Sequence, residues 1–339
     1  MTDQPLQIGA LGCADILTDS LFNVYAHVPD VRLGAIASRS LDKAREYAAQ
    51  HAVPRYYGSY QEILDDPQVE LVYIPLPNGM HAEWTIRALQ AGKPVICQKP
   101  ICSNEAEGQR ILEVERATGL PLIEAWHYQY HPIAQRVRQI LASGMLGKLR
   151  TIESRFNVPG KWVTAGSDNI RFKYELAGGV TMDPGCYCVD MLRFATGEEP
   201  TVTSARGKLM SPDVDVHMAA ELVFPSGLKG RLEASLDDGG DALDEVLEVT
   251  GDKGTMHANS PCLPHWGDPS ITLTMDGHTT REPFARTSTF VYMWPEVVKA
   301  VRERGSIRTT AASGVRNARV IDDIYRAAGM RLRGDSSVS

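Results

Sequence analysis

What the chain lacks narrows its class first. No window of its 339 residues approaches a membrane-spanning apolar run, and Met1-Thr2-Asp3-Gln4-Pro5 has neither the basic flank nor the apolar core of a secretory signal. Positive charge is not in excess: 35 Lys and Arg against 42 Asp and Glu leave −7, which argues against nucleic acid or an anionic membrane surface as partner. Six cysteines include no Cys-x-x-Cys pair, and Cys186 and Cys188 stand too close for an ordinary disulfide, so free thiols in a reducing cytoplasm are expected. His127 and His131 have helical spacing, but Pro132 follows at once and no third ligand is evident; no metal is expected. Repeats and low-complexity stretches are absent as well. With 43% hydrophobic content, a chain of this length suits two domains.

What is present in the first third is alternation. Apolar runs at Leu6 to Leu11, Val31 to Ala37, Leu71 to Ile74, Val95 to Cys97 and Leu122 to Ala125 read as buried strands. Helical stretches separate them: one after Ser40, a fair N-cap, one from His81 to Ala91, and one from about Asn104 to Thr118. Such alternation predicts a doubly wound parallel sheet, an α/β fold with helices on both faces. Its ligands would bind outside the carboxyl ends of the strands.

Three strand ends there carry chemistry. The first turn, Gly12-Cys13-Ala14-Asp15-Ile16, matches a dinucleotide fingerprint only in its first glycine, with Ala14 in place of the second. After the second strand, where an NAD site puts an acid for the ribose hydroxyl, stand Ser38 and Arg39; a hydroxyl and a guanidinium suit a 2′-phosphate, so NADP(H) is favoured with NAD(H) possible. The third is Pro94-Val95-Ile96-Cys97-Gln98-Lys99-Pro100, which ends on a lysine held extended before a proline, equally readable as a surface residue or a ligand-facing one. The turn Pro75-Leu76-Pro77-Asn78-Gly79-Met80-His81 leaves its own strand at the same edge, with Asn78 as a possible N-cap.

These pieces, in this order, resemble the Gfo/Idh/MocA oxidoreductases. The likeness continues through Glu124-Ala125-Trp126-His127-Tyr128-Gln129-Tyr130-His131-Pro132 to Asp183-Pro184-Gly185-Cys186-Tyr187-Cys188-Val189-Asp190 and covers nearly the whole chain. It implies a dinucleotide-binding Rossmann domain over residues 1–127. A substrate-binding and oligomerisation α/β domain with an open, mainly antiparallel sheet would follow over 128–339, its last helix able to pack back on the first. It further implies a sugar or cyclic polyol as substrate, and a homodimer or homotetramer through the second sheet.

By the same resemblance, Lys99, Tyr187 and Asp183 are the catalytic candidates. Gly12, Cys13, Ala14, Asp15, Ile16, Ser38, Arg39, Pro75, Leu76, Asn78, His81, Gln98, Lys99 and Trp126 would contact cofactor; Lys99, His127, Arg171, Asp183 and Tyr187 would contact substrate. Two departures stand out: Gln98 replaces the family's glutamate beside the lysine, and Tyr187 stands where inositol dehydrogenase-like members have histidine, as in the sugar-ketoreductase, xylose-dehydrogenase and dihydrodiol-dehydrogenase branch. The expected reaction is hydride transfer with Tyr187 as general acid/base, its phenol (unperturbed pKa ~10) needing the Lys99 charge nearby to work near neutrality. Alternatives are glycoside cleavage through transient oxidation by tightly held NAD, and a cofactor-sensing regulator without catalysis.

The remaining two thirds turn to strands. Leu228 to Leu236 alternates apolar and polar residues, and Val246 to Thr250 and Thr255 to Ala258 flank a hairpin signal at Gly251-Asp252-Lys253-Gly254. Arg155 to Tyr174 reads as irregular, Asp237 to Asp241 as an acidic loop, and two helices close the chain.

Overall fold

The computed structural model describes residues 4–163 and 169–334. The chain divides into two compact units. One comprises the residues up to Cys102 with Ala106–Trp126 and Phe290–Val315; the other comprises Ser103–Glu105, His127–Thr289 and the residues from Arg316 onward.

The first unit is built on six parallel strands: β1 (Leu6–Leu11), β2 (Val31–Ala37), β3 (Arg55–Tyr57), β4 (Leu71–Ile74), β5 (Val95–Cys97) and β6 (Leu122–Glu124). Their order is β3-β2-β1-β4-β5-β6, which places the topological switch between β1 and β4. Helices α1 (Ile16–Ser20), α2 (Leu41–His51), α3 (Tyr60–Asp65), α4 (His81–Gln90) and α5 (Glu105–Thr118) connect them. Both sheet faces are covered, so β4, β5 and β6 are buried at every residue, as uninterrupted apolar runs require. Further along the chain α8 (Thr289–Glu303) joins this unit from Phe290 onward, and Trp294 donates its indole N–H to Ser20 O at 2.5 Å.

Gly9 is where β1 meets its cover. A Cβ there would stand 2.8 Å from Ile63 Cγ2 and Val69 Cγ1, closer than real contacts allow. Gly9→Ala is therefore expected to cost about 1–3 kcal/mol by overpacking, read as a lower midpoint in urea unfolding.

The second unit carries eight strands in the order β14-β13-β12-β11-β7-β10-β9-β8. They are β7 (Leu149–Pro159), β8 (Thr201–Ser211), β9 (Val214–Val223), β10 (Lys229–Asp238), β11 (Asp244–Gly251), β12 (Gly254–Asn259), β13 (Ser270–Met275) and β14 (His278–Pro283). Only β7 and β10 run parallel; every other pair is antiparallel. The Gly251↔Gly254 register closes the expected hairpin. Helix α6 (Pro132–Ala142) precedes the sheet, and α7 (Pro184–Thr196), buried from Pro184 to Ala195, lies on β7 and β10. The final helix is α9 (Ala311–Ala327).

Two sequence readings need correction. Residues 155–159 are the end of β7, paired with both β10 and β11, so the irregular segment begins only at Gly160. Asp237 and Asp238 belong to β10, which shortens the acidic loop. Residues 164–168 of the irregular segment lie outside the described residues.

A buried ion pair anchors the segment around Arg333 in this unit. Arg333 and Asp215 are both fully buried and bonded to one another. Asp215 also accepts from the Tyr325 hydroxyl at 3.0 Å and from Thr181 N–H and Oγ at 2.9 and 2.5 Å, while Arg333 Nε donates to Gly178 O at 2.6 Å. Among the described residues, no helix is long and apolar enough to cross a membrane.

Candidate active site

The first unit gathers the cofactor candidates at the carboxyl ends of its strands. Gly12 follows β1 with φ +102°, a conformation that favours glycine, and its N–H donates to Ala37 O at 2.8 Å. A Cβ on Gly12 would meet Leu76 Cδ2 at 3.1 Å and approach Tyr60 Oη to 3.9 Å. The bare turn thus faces a buried Leu76 on one side and a phenol on the other. Cys13 lies beside it, and burial pushes its thiol pKa up. Ala14 and Asp15 lead into Ile16 at the head of α1, a single short turn in place of the longer helix this position usually carries.

Ser38 ends β2 and is buried; its hydroxyl accepts the Ser40 N–H at 3.3 Å. Ser40 in turn caps α2, accepting from Lys43 N–H at 3.3 Å. Exposed Arg39 lies close enough to Tyr60 that its charge counters the burial that raises the phenol's pKa. Tyr60 was not legible as a site residue, because it opens a different helix and only folding brings it to Gly12 and Arg39. A bare backbone turn, a guanidinium and hydroxyls, with no carboxylate after β2, fit a phosphorylated ribose.

The turn after β4 and the end of β5 are tied together by His81. It is fully buried, with Nε2 2.7 Å from Leu76 O and Nδ1 2.7 Å from Pro100 O. Burial first, and then the Lys99 charge, lower its pKa. His81 therefore works through Leu76 and Pro100, with Pro75 and Asn78 on the same turn, and sets the loop that carries Lys99. That lysine is half-buried at the end of β5, and its bond to Pro100 is cis. Gln98, buried beside it, donates its amide to the Tyr73 hydroxyl at 2.6 Å; the uncharged pair replaces a carboxylate next to Lys99. Trp126, also expected at the cofactor, is fully buried.

The second unit gathers the other candidates around α7. Tyr187 packs its ring against Phe156 and Tyr128 at centroid distances of 5.6 and 6.0 Å. Its hydroxyl lies 2.9 Å from His127 Nε2, and the other ring nitrogen of His127 lies 2.7 Å from Thr289 Oγ1. Burial, then Cys186, Cys262, Asp183 and Glu245, all drive the Tyr187 pKa well upward. Tyr187 is thus held as a phenol by its own unit, a proton donor at neutral pH. Glu245, whose pKa burial lifts to about 7, accepts the Leu263 N–H at 2.9 Å and the Cys262 N–H. Neither Glu245 nor Thr289 carried a sequence signal, since Glu245 bears on Tyr187 only through its charge and Thr289 only through His127.

One turn on from Tyr187, Asp190 accepts from Tyr128 Oη at 2.6 Å and Gln129 Nε2 at 2.7 Å. Asp183, at the head of α7, pairs with Arg171 Nε at 2.6 Å, so two of the expected substrate residues meet.

Residues 6–125 match the family model described as oxidoreductase family, NAD-binding Rossmann fold, and residues 134–257 match the GFO/IDH/MocA C-terminal domain. A D-xylose 1-dehydrogenase (NADP(+)) of Haloferax volcanii is 31% identical over 328 residues, 95% of this chain and 97% of that one. The chain belongs to the Gfo/Idh/MocA family of oxidoreductases. Similar at 31% over 341 residues, 96% of each chain, is a dTDP-3,4-didehydro-2,6-dideoxy-alpha-D-glucose 3-reductase of Streptomyces violaceoruber. Among solved Gfo/Idh/MocA-like structures, a 3-ketoreductase from Actinomadura kijaniata, complexed with NADP and TDP-benzene, aligns with a TM-score of 0.86 at 25% identity, covering 96% of this chain and 98% of that one. Lysine-to-alanine and tyrosine-to-phenylalanine variants of that ketoreductase have also been solved with NADP.

Proposed function

We propose that this Gfo/Idh/MocA chain is an NADP(H)-preferring oxidoreductase acting on a CH–OH carbon of a sugar, deoxysugar or cyclic diol. Residues 1–127 hold the dinucleotide and 128–339 the substrate. When bound, the nicotinamide supplies or accepts the hydride. In reduction the Tyr187 phenol gives its proton to the carbonyl oxygen; in oxidation its tyrosinate, with the Lys99 charge to stabilise it, takes the proton of the alcohol. Lys99 offers positive charge to the oxygen on which negative charge develops. In reduction the oxygen gains the phenolic proton as its carbon gains the hydride; a tyrosinate remains until water reprotonates it. The Asp183–Arg171 pair presents an acceptor and donors to the substrate's other hydroxyls.

The observation that carries the cofactor preference is the cluster of Ser38, Arg39 and Tyr60 at the bare Gly12 turn, with no acid after β2. A charged hydrogen bond is worth about 1.5–3 kcal/mol, so Arg39→Ala should raise the KM for NADP(H) by about 10- to 100-fold and leave that for NAD(H) nearly unchanged. An unchanged NADP(H)-to-NAD(H) ratio rejects the assignment. For the substrate class, the support is the end-to-end likeness to sugar dehydrogenases and ketoreductases. Oligomerisation through the second sheet is part of the same reading, with Leu209, Met210 and Val223 exposed on β8 and β9. A reducing cytoplasm suits its six thiols.

A further inference from the structure

His127 stands behind Tyr187. His127 precedes α6, Tyr187 sits in α7 and Thr289 begins α8, and the three side chains form one buried line. Thr289 Oγ1 to His127 Nδ1 is 2.7 Å and His127 Nε2 to Tyr187 Oη is 2.9 Å. Thr289 is fully buried, His127 3% exposed and Tyr187 7% exposed.

The line has a direction. A buried hydroxyl carries one hydrogen that must be donated, because an unmade buried hydrogen bond costs the full desolvation of the group. Among the described residues, the partner of Thr289 Oγ1 is His127 Nδ1, a nitrogen able to accept. With Nδ1 accepting, a neutral imidazole carries its proton on Nε2. That N–H points at Tyr187 Oη, and the phenol oxygen accepts it. In the opposite tautomer Nδ1–H would fill the threonine oxygen, the threonine hydrogen would lose its acceptor, and the phenol would have to give its proton to His127.

We infer that His127, locked as the Nε2–H tautomer by Thr289, is the positioning residue for Tyr187: it donates to the phenol oxygen and so leaves the phenolic proton directed to the reacting oxygen of the substrate. This rests on Tyr187 being the proton donor. When the phenol O–H breaks and the proton joins the substrate oxygen, charge is left on Oη, and the bond from His127 becomes a bond to an anion, stronger than before. His127 keeps its proton throughout. The position assigned by resemblance to substrate contact is thereby given to the general acid's support.

Two measurements test this. Selective isotopic nitrogen labelling of histidine, with long-range proton–nitrogen correlation NMR on the full chain and His127 assigned by its loss in His127→Gln, should report the Nε2–H tautomer. Thr289→Val should release the lock and bring in the Nδ1–H form. Finding Nδ1–H or the imidazolium in the wild-type protein overturns the inference. The second is a kinetic cycle on the most active compound of a sugar and diol panel with NADP(H). Losing a hydrogen bond to a charged group, His127→Leu should lower kcat about 10- to 100-fold with KM values nearly unchanged. His127→Gln, which keeps an amide N–H near the same place, should regain most of the loss. In a Tyr187→Phe background His127→Leu should cost almost nothing further; an equal loss there overturns the inference. If Tyr187→Phe alone retains full turnover, it is the proton-donor assignment that fails, whatever the tautomer.

Discussion

Tyr187→Phe is expected to lower kcat by about 10²- to 10⁴-fold, the range for removing a general acid, while NADP(H) binding stays close to wild type. The substitution deletes one oxygen. The phenyl ring keeps its packing on Phe156 and Tyr128, so the fold around α7 has no cavity to fill. What disappears is the proposed proton donor and the oxygen 2.9 Å from His127 Nε2. Because the surrounding unit drives the phenol's pKa upward, the group is fully protonated through neutral pH, and reduction should show no loss of rate from Tyr187 ionisation there. Steady-state kinetics with fluorescence titration of NADPH separates the two effects. A variant with near-normal kcat removes Tyr187 from the chemistry; one that loses cofactor binding instead makes it a structural residue.

Asp215→Ala should be the most damaging substitution for stability, lowering the free energy of unfolding by about 3–5 kcal/mol, the usual cost of leaving a buried charge unpaired. Arg333 has no solvent to turn to, being fully buried, and the Tyr325 hydroxyl and Thr181 lose their acceptor at the same time. Urea unfolding gives the value from the midpoint at constant slope. A paired apolar replacement, Asp215→Leu with Arg333→Met, should lose much less than Asp215→Ala, since no charge is stranded. If the single variant unfolds at the wild-type midpoint, the pair does not hold the segment around Arg333 in the second unit.

The Rossmann sheet was legible because parallel strands covered on both faces must be apolar throughout. Leu6–Leu11 and Val31–Ala37 appear with the bounds their apolar runs suggest. The three-residue β3 has no such run: Arg55 and Tyr57 are there to meet Asp66, and only tertiary pairing makes them a strand. Within the second unit, alternation marked β10, and the Gly251–Gly254 turn fixed one hairpin, yet nothing local told that β7 would lie between β11 and β10, parallel to one of them.

At the site, motif residues were legible and their supports were not. Lys99 and Tyr187 stand in recognisable stretches, whereas Tyr60, Glu245 and Thr289 act through contacts that cross the sequence. Thr289 reaches His127 over 162 residues, a distance no periodicity spans. Gln98 shows the same limit from the other side. Its departure from the family's acid was visible, but its partner, the Tyr73 hydroxyl on the neighbouring strand, was not.

Hydride transfer from the cofactor to a sugar carbon can be followed directly. NADPH deuterated at the transferring nicotinamide position would be incubated with wild-type protein and a panel of keto sugars, aldoses and cyclic diketones, and the products weighed by mass spectrometry. One deuterium is expected in the alcohol product with stoichiometric NADP⁺, and a sharp loss of that label transfer in Lys99→Ala. Tight NADPH binding with no deuterium in any product, or full transfer without Lys99, would contradict the proposed mechanism.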